Sequence, residues 1–346
     1  MKKIFVKPPV IDYLTFLLAG DEWHEDEGKE RFAKICRRVD KAIAEGTCLP
    51  ANTIGLRYRK SFHVGLPNGE KVTVSLGAVQ PDRQNGGVRI SLNPAKLKPG
   101  DIEYFHRVMT GILGSIYRQQ LRIPLLNRID VAVDLIHADL DRLLVSYKNN
   151  QRVTMFAKRF DTKGRIEGYN FGSLSSDYVA VVYDKKTENL HQAVCNIAAN
   201  RLQTEELRAN RVRQIRNLHG RPERVRIEIR AMKLRSVPPS ALSELANRFA
   251  RFQIIDLSIG ESEVPPHIKK GFLAVWRQNG SKDAFDFARD TDHYRQIRKY
   301  CRSTAAPWWK PETMWLEACE TLKRSGILPA EAFSVPDLDE EDEFLV

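Results

Sequence analysis

The sequence predicts an α+β fold, a curved antiparallel sheet with flanking helices, followed by a mostly helical C-terminal region. Three observations predict it. Apolar residues alternate with a period of two around two glycine turns, Pro67-Asn68-Gly69 and Asn85-Gly86-Gly87, where Asn and Gly tolerate the positive φ of tight hairpins. Other stretches repeat apolar residues every three or four positions, as helices do. Beyond Ser236-Val237-Pro238-Pro239 strand signals thin out and helical periods dominate.

Each element follows in order. Val10 to Leu18 is rich in strand formers and follows Pro8-Pro9, so it reads as the first strand. Phe32, Ile35, Cys36, Val39, Ala42 and Ile43 mark a helix that Gly46 stops. Leu56–Leu66, Lys71–Leu76 and Val88–Leu92 form a meander. Asp101 to Gln119 reads as one helix and feeds the strand Arg128–Leu135. A short helix over Asp139–Tyr147, a hairpin region, a strand at Tyr178–Tyr183, a long basic helix from about Glu188 to Leu218 and a strand at Val225–Met232 complete the first part. The expected organisation is therefore 1–236 as one domain, 237–335 as a helical region and 336–346 as an acidic tail.

Charge narrows the function. The 346-residue chain carries 55 Lys and Arg against 44 Asp and Glu, a net charge of +11. Six of those acids (Asp337, Asp339, Glu340, Glu341, Asp342 and Glu343) lie in the last ten residues, so the rest of the chain stands at +17. So basic a body calls for a polyanionic partner, with nucleic acid ahead of a membrane surface. The five cysteines are scattered without a CxxC pair, which fits neither a zinc site nor a secreted disulfide framework. Lys7, Pro8, Pro9 and Asp12 interrupt the apolar N-terminus as a signal sequence, and no apolar run reaches the roughly 18 residues of a membrane span. The expectation is a cytoplasmic protein. P-loop, GxSxG, HxH and HxxR patterns are missing, which argues against an ATPase, a serine hydrolase, a histidine-ligated nuclease and a tyrosine recombinase.

Four segments can carry chemistry. In Arg128-Ile-Asp-Val-Ala-Val-Asp-Leu135, alternation places Asp130, Ala132 and Asp134 on one side of a strand and three apolar residues on the other. The two carboxylates suit a hard divalent cation, or they line a solvated outer face; both readings stand open. In Val225–Arg230, Arg226, Glu228 and Arg230 share a side. They form either a structural ion-pair row or a third ligand between phosphate contacts. Tyr183 ends a strand beside Lys185 and Lys186; it is an amphipathic filler, or a phenol whose anion the lysines stabilise for attack on a phosphodiester. Arg201–Arg235 holds eleven Lys or Arg against four Glu, with Arg208, Arg211, Arg213 and Arg216 on the helix, and reads as a phosphate-binding face.

In order along the chain, IDYLTF (Ile11–Phe16), RIDVAVDL (Arg128–Leu135), FGSLSSDYVAVVYDKKTE (Phe171–Glu188) and RVRIEIR (from Arg224) resemble successive blocks of the replication initiation factor family. That family includes rolling-circle initiators of plasmids and replication proteins of filamentous phages, and the first block looks closer to the phage branch. The resemblance spans roughly residues 10–235. It implies a nicking and strand-joining enzyme. Tyr183 would attack one origin strand, leaving a 5′-phosphotyrosine and a free 3′-hydroxyl, with Lys185 near the scissile phosphate. Asp130, Asp134 and Glu228 would hold Mg²⁺ or Mn²⁺. Arg128, Lys186, Arg208, Arg211, Arg213, Arg216, Arg226 and Arg230 would contact DNA, double- or single-stranded. Homodimerisation and contacts with a host helicase, polymerase or single-strand-binding protein are further implications. Leu174 departs from the arginine common in that block. The rival reading is a non-catalytic, sequence-specific DNA-binding regulator on the same fold, and an RNA-binding module ranks third. The enzyme reading requires Tyr183 and the three acids to converge at an accessible place.

Trp308, Trp309 and Trp315 read as packing residues, and the acidic tail as a solubilising end, as a mimic of nucleic acid, or as a segment that docks on a basic hydrophobic pocket of a host replication protein.

Overall fold

The computed structural model describes residues 2–18, 26–51, 57–80, 87–148, 153–157, 166–173, 175–199, 205–260 and 262–334. In chain order the elements are β1 (Phe5–Val6), β2 (Val10–Leu18), α1 (Asp26–Ala44), β3 (Cys48–Pro50), β4 (Tyr58–Gly65), β5 (Lys71–Ala78), β6 (Val88–Leu92), α2 (Pro99–Leu113), α3 (Ile116–Gln120) and β7 (Leu125–Ile136). They continue with β8 (Leu143–Tyr147), β9 (Val153–Ala157), β10 (Ile166–Phe171), β11 (Tyr178–Asp184), α4 (Lys185–Ala199), α5 (Glu205–His219), β12 (Arg224–Ala231), β13 (Phe252–Asp256), α6 (Pro266–Asn279), α7 (Ser281–Arg289), α8 (Tyr294–Ser303) and α9 (Met314–Arg324). The chain is α+β with an open antiparallel sheet and a mainly helical C-terminal region, as expected. Among the described residues no helix is long and apolar enough to cross a membrane.

Two compact units interleave along the chain. The first comprises Val10–Val131, Ala231–Ala246 and Leu316–Val346. Its strands lie in the order β3-β4-β5-β6-β2-β7. The β4–β5 hairpin turns where expected: Gly69 adopts φ +85°, its amide donates to Leu66 O, and Leu66 N donates to Glu70 O, both at 2.9 Å. The core of this unit is the apolar side of the meander, Phe62, Val64, Val72, Val74, Leu76 and Ile90, each fully buried. Gly77 is left-handed (φ +70°), and a Cβ there would stand 2.7 Å from the ring of Phe32 on α1. Glycine thus lets the helix close on the sheet. Across β2 and β6 the buried hydroxyls of Thr15 and Ser91 pair at 3.0 Å, so two polar side chains enter the core already satisfied.

The second unit comprises Met1–Pro9, Ala132–Arg230 and Asn247–Trp315. Here the order is β7-β12-β11-β10-β9, with β1 antiparallel to the end of β7. A separate antiparallel ribbon joins β8 to β13, Leu143–Tyr147 against Phe252–Asp256. Behind it Phe272 and Trp276 of α6, Ala284 and Ala288 of α7, and Ile297 and Tyr300 of α8 share one core with Leu144 and Ile255. The two alanines allow α7 to approach closely while the rings fill the interior.

Three expectations are corrected. Asp101–Gln119 is not one helix: Gly114 (φ +83°) ends α2 with its amide on Thr110 O, and α3 starts afresh. Asp139–Tyr147 is not a helix; after one 3₁₀ turn at Leu140–Arg142 it becomes β8. Its partner strand lies more than a hundred residues away, beyond the reach of local periodicity. The basic stretch forms two helices, α4 and α5. The Asn85-Gly86 turn, Leu174 and the acidic tail lie outside the described residues. The tryptophans do pack: Trp315 is buried, and Trp309 meets Phe252 edge-on at 6.2 Å.

Asp256 ties the ribbon to the helices. Its carboxylate is fully buried. It accepts a bidentate pair from Arg142 at 2.7 Å, the Ser258 hydroxyl at 2.6 Å and the Trp308 indole N–H at 3.1 Å. Burial alone would raise its pKa, but the hydrogen bonds from Arg142, Ser258 and Trp308 prevail and hold it at about 2. A carboxyl whose folded pKa lies below its unfolded value stabilises the fold above the ordinary carboxylate pKa and stops doing so as pH falls through the folded one. Stability measured by denaturant unfolding is therefore expected to drop between about pH 4 and pH 2. Asp256→Ala is expected to cost about 3–5 kcal/mol at pH 7 and to flatten that drop.

Candidate functional site

The family-like blocks land on strands whose two faces are both covered. Along β7 every residue from Ile129 to Leu135 is buried. Asp130 and Asp134, at 2% and 6% exposure, therefore do not sit on a solvated outer face. On β12, Arg226 and Glu228 are buried as well, at 5% and 2%. A carboxylate taken so far from water is tolerated only when paired, and each of the three acids is paired with arginine.

In the first unit, Arg128 forks onto Asp130 at 2.9 and 2.6 Å. Its guanidinium also lies 4.6 Å from the ring centre of Tyr13, so the IDYLTF and RIDVAVDL blocks meet through a cation–π contact. In the second unit, Asp134 accepts from Arg226 at 2.8 and 3.1 Å and from Arg224 as well. Burial pushes the Asp134 pKa up, and the hydrogen bonds of Arg226 and Arg224 more than reverse it, leaving it lowered. Glu228 is held by Arg230 at 2.9 and 3.2 Å. Four guanidinium groups thus serve three carboxylates.

This arrangement does not fit a divalent cation as it stands. Among the described residues no three His, Cys, Asp or Glu side chains are grouped to hold a metal. An incoming cation would have to displace guanidinium groups that already satisfy the carboxylate oxygens. Arg128, Arg226 and Arg230, expected on phosphates, are the partners of Asp130, Asp134 and Glu228.

Tyr183 lies near the end of β11, opposite Gly168 of β10, which leaves the cross-strand position without a side chain. Its neighbours are set by the start of α4. Asp184 accepts from the Thr187 amide at 2.8 Å and its hydroxyl at 2.6 Å, fixing the strand-to-helix corner. From the first turn Lys185 brings its ammonium to 5.6 Å from the Tyr183 ring centre while pairing with Glu188 at 2.7 Å. Lys186 pairs with Glu223 at 2.8 Å. Tyr183 is 8% exposed, so the accessibility that a nucleophile needs is not met by the chain at rest.

The basic helix α5 carries Arg208, Arg211, Arg213 and Arg216. Arg213 and Arg216 are exposed and Arg211 is partly buried. Sequence reasoning missed a groove of about 440 Å³ between α4 and α5, lined by Asn189 and Gln192 on one side and Asn210, Arg213, Gln214 and Asn217 on the other. Asn210, Arg213, Gln214 and Asn217 follow the i, i+3, i+4, i+7 rule of one helix face. The signal in the sequence is that stripe of carboxamides around Arg213.

No protein-family model matches the chain, and no curated protein matches it. Among three matching solved chains is one described as the structure of the rolling circle replication initiator protein from Geobacillus stearothermophilus. It is 13% identical over 80% of this chain and 98% of that chain, with a TM-score of 0.35. Similarity of that degree is too slight to bear on function.

Asp134→Ala would leave Arg226 without its buried carboxylate and is expected to cost about 3–5 kcal/mol of stability in denaturant unfolding. The loss should be the same with EDTA and with Mg²⁺. A loss confined to Mg²⁺ would make Asp134 a metal ligand instead.

Proposed function

We propose that this chain is a DNA strand-nicking and strand-joining enzyme of the rolling-circle initiation type, with Tyr183 as the nucleophile. The ordered blocks of the sequence suggest the class. The observation that carries the assignment is the Tyr183–Lys185 pair at a corner locked by Asp184 and Thr187. In this reading the Tyr183 phenol gives up its proton and its oxygen bonds to the scissile phosphorus. The P–O3′ bond breaks and the 3′-oxygen takes up a proton. Lys185 faces the charge gathering on the phosphate, where one well-placed cation counts for most. The phosphotyrosine keeps the energy of the broken linkage, so the reverse attack by a 3′-hydroxyl reseals the strand without ATP. Because Tyr183 is covered at rest, the reaction requires an opening around β11 when DNA binds. Exposed Arg213 and Arg216 with the carboxamide groove would hold the strand near α4, phosphates on the cations and base edges on the amides.

Burial of Tyr183 and the arginine closure of all three acids favour a second reading, a DNA-binding regulator without cleavage on the same fold. Incubating the protein with supercoiled and single-stranded origin DNA separates the two. The enzyme is expected to leave a nick with protein on the 5′ end, absent from Tyr183→Phe and about 10²-fold slower in Lys185→Ala. Nicking that survives in Tyr183→Phe would move the nucleophile, with Tyr178 next. Tight binding with no nick would establish the regulator.

A further inference from the structure

The helical core behind the β8–β13 ribbon presents a surface that neither reading uses. On α8, Ile297 and Tyr300 are buried against α6 and α7, while Arg295, Arg298, Lys299 and Arg302 are exposed. At 100° per residue these four cations fall within an arc of about 100°, opposite the buried pair. Lys299 is engaged by Glu263 at 2.8 Å. Among the described residues no carboxylate pairs with Arg295, Arg298 or Arg302. Every arginine of the β7–β12 acid sites is neutralised, whereas these three stand together as an uncompensated row. Such a row is self-repelling until an anion covers it.

Beside the row lies a pocket of about 420 Å³, within the roughly 300–1,000 Å³ of small-ligand sites. Arg298, Arg302 and Gln253 form its exposed rim, and Phe285 and Trp309 line it as half-buried rings. Trp309 is held in place by Phe252, edge-on at 6.2 Å, and by Phe249 at 6.4 Å. Aromatic rings beneath a cationic rim are what a flat base attached to a phosphate requires. Arg295 to Arg302 spans about 10 Å at 1.5 Å per residue, long enough to follow a short run of phosphates along one strand.

We propose that α8 and this pocket bind a single strand of DNA, phosphates along Arg295, Arg298 and Arg302 and one unstacked base against Phe285 and Trp309. The neighbouring charges favour a strand lying along the flank over a helix entering a duplex groove end-on. Exposed Asp290 and Asp292 stand at the leading end of α8, where they would meet duplex phosphates, and the rings are useful only to a base outside the stack. The proposal rests on the reading that the chain acts on DNA, and is independent of which residue is the nucleophile.

The test is fluorescence anisotropy of labelled dT12 and of a 12-base-pair duplex against salt, for wild type and Arg298→Ala/Arg302→Ala. Both side chains are exposed, so the thermal melt of the variant should match wild type. The expected result is at least tenfold weaker dT12 binding, a slope of log K against log salt shallower by about 1.4, and a smaller effect on the duplex. A 5-iodouracil in the strand should photocrosslink to Trp309 or Phe285. Unchanged affinity and slope, an equal loss on the duplex, no binding of dT12 by wild type, or crosslinks only to other parts of the chain would each overturn the proposal. Binding is read without cleavage, so the two failures separate. A protein that binds dT12 through these arginines but never nicks loses the enzyme reading alone. One that nicks but is indifferent to the double substitution loses this proposal alone.

Discussion

Burying carboxylates within a sheet is the constraint from which much of this molecule follows. Asp130, Asp134 and Glu228 are almost wholly removed from water. Ionised carboxylates survive there only with cations and hydrogen-bond donors on their oxygens. Guanidinium supplies both in a planar fork, which lysine cannot do. Arg128 and Arg230 lie two residues from their carboxylates on the same strand, and Arg224 and Arg226 reach Asp134 from β12. The alternation of a β-strand makes the i, i+2 pairs possible, because residues two apart share a face. The acid-and-arginine pattern of both blocks is therefore a folding requirement before it is anything else.

That requirement shapes the chemistry. Arginines committed to buried acids are not on offer to phosphates, so in the proposed reading the DNA contacts fall to cations elsewhere on the chain. Two such places stand out. The α4–α5 groove combines Arg213 with carboxamides, and the α8 row lies beside an aromatic pocket. The first adjoins the helix that starts at Lys185, two residues after the proposed nucleophile. The second belongs to the helical core behind the β8–β13 ribbon. If the chain nicks and rejoins one strand, as proposed, it has use for two such grips, since a nicked strand must be retained for rejoining.

The Tyr183 corner shows the same economy on a smaller scale. Asp184 caps α4 through Thr187 and so fixes where Lys185 projects. Lys185 divides its charge between Glu188 and the Tyr183 ring. Glu188 is thus the counter-ion that holds the lysine in place, and in the proposed reading a phosphate would compete with it. Burial keeps the Tyr183 phenol from water, so the proposed attack would require motion around it first.

Much of this was legible in the chain itself. Period-two alternation placed β4, β5, β6, β7, β11 and β12, because successive side chains of a strand point to opposite faces, and strand-former content placed β2. Asn68-Gly69 marked its hairpin because positive φ restricts residue type. The charge excess pointed to a polyanion because composition survives any folding. What the tertiary structure alone decided depends on partners distant in sequence. β8 is a strand because Phe252–Asp256 pairs with it, although its local pattern read as helix. The acids are salt-bridged because arginines two residues away, or on the neighbouring strand, close on them in a space that excludes water. The pocket at Trp309 exists because β13, α6, α7 and α8 converge there. Local propensity acts over a few residues and is written in the sequence. Burial and pairing act between segments, and they become definite only when the chain has folded.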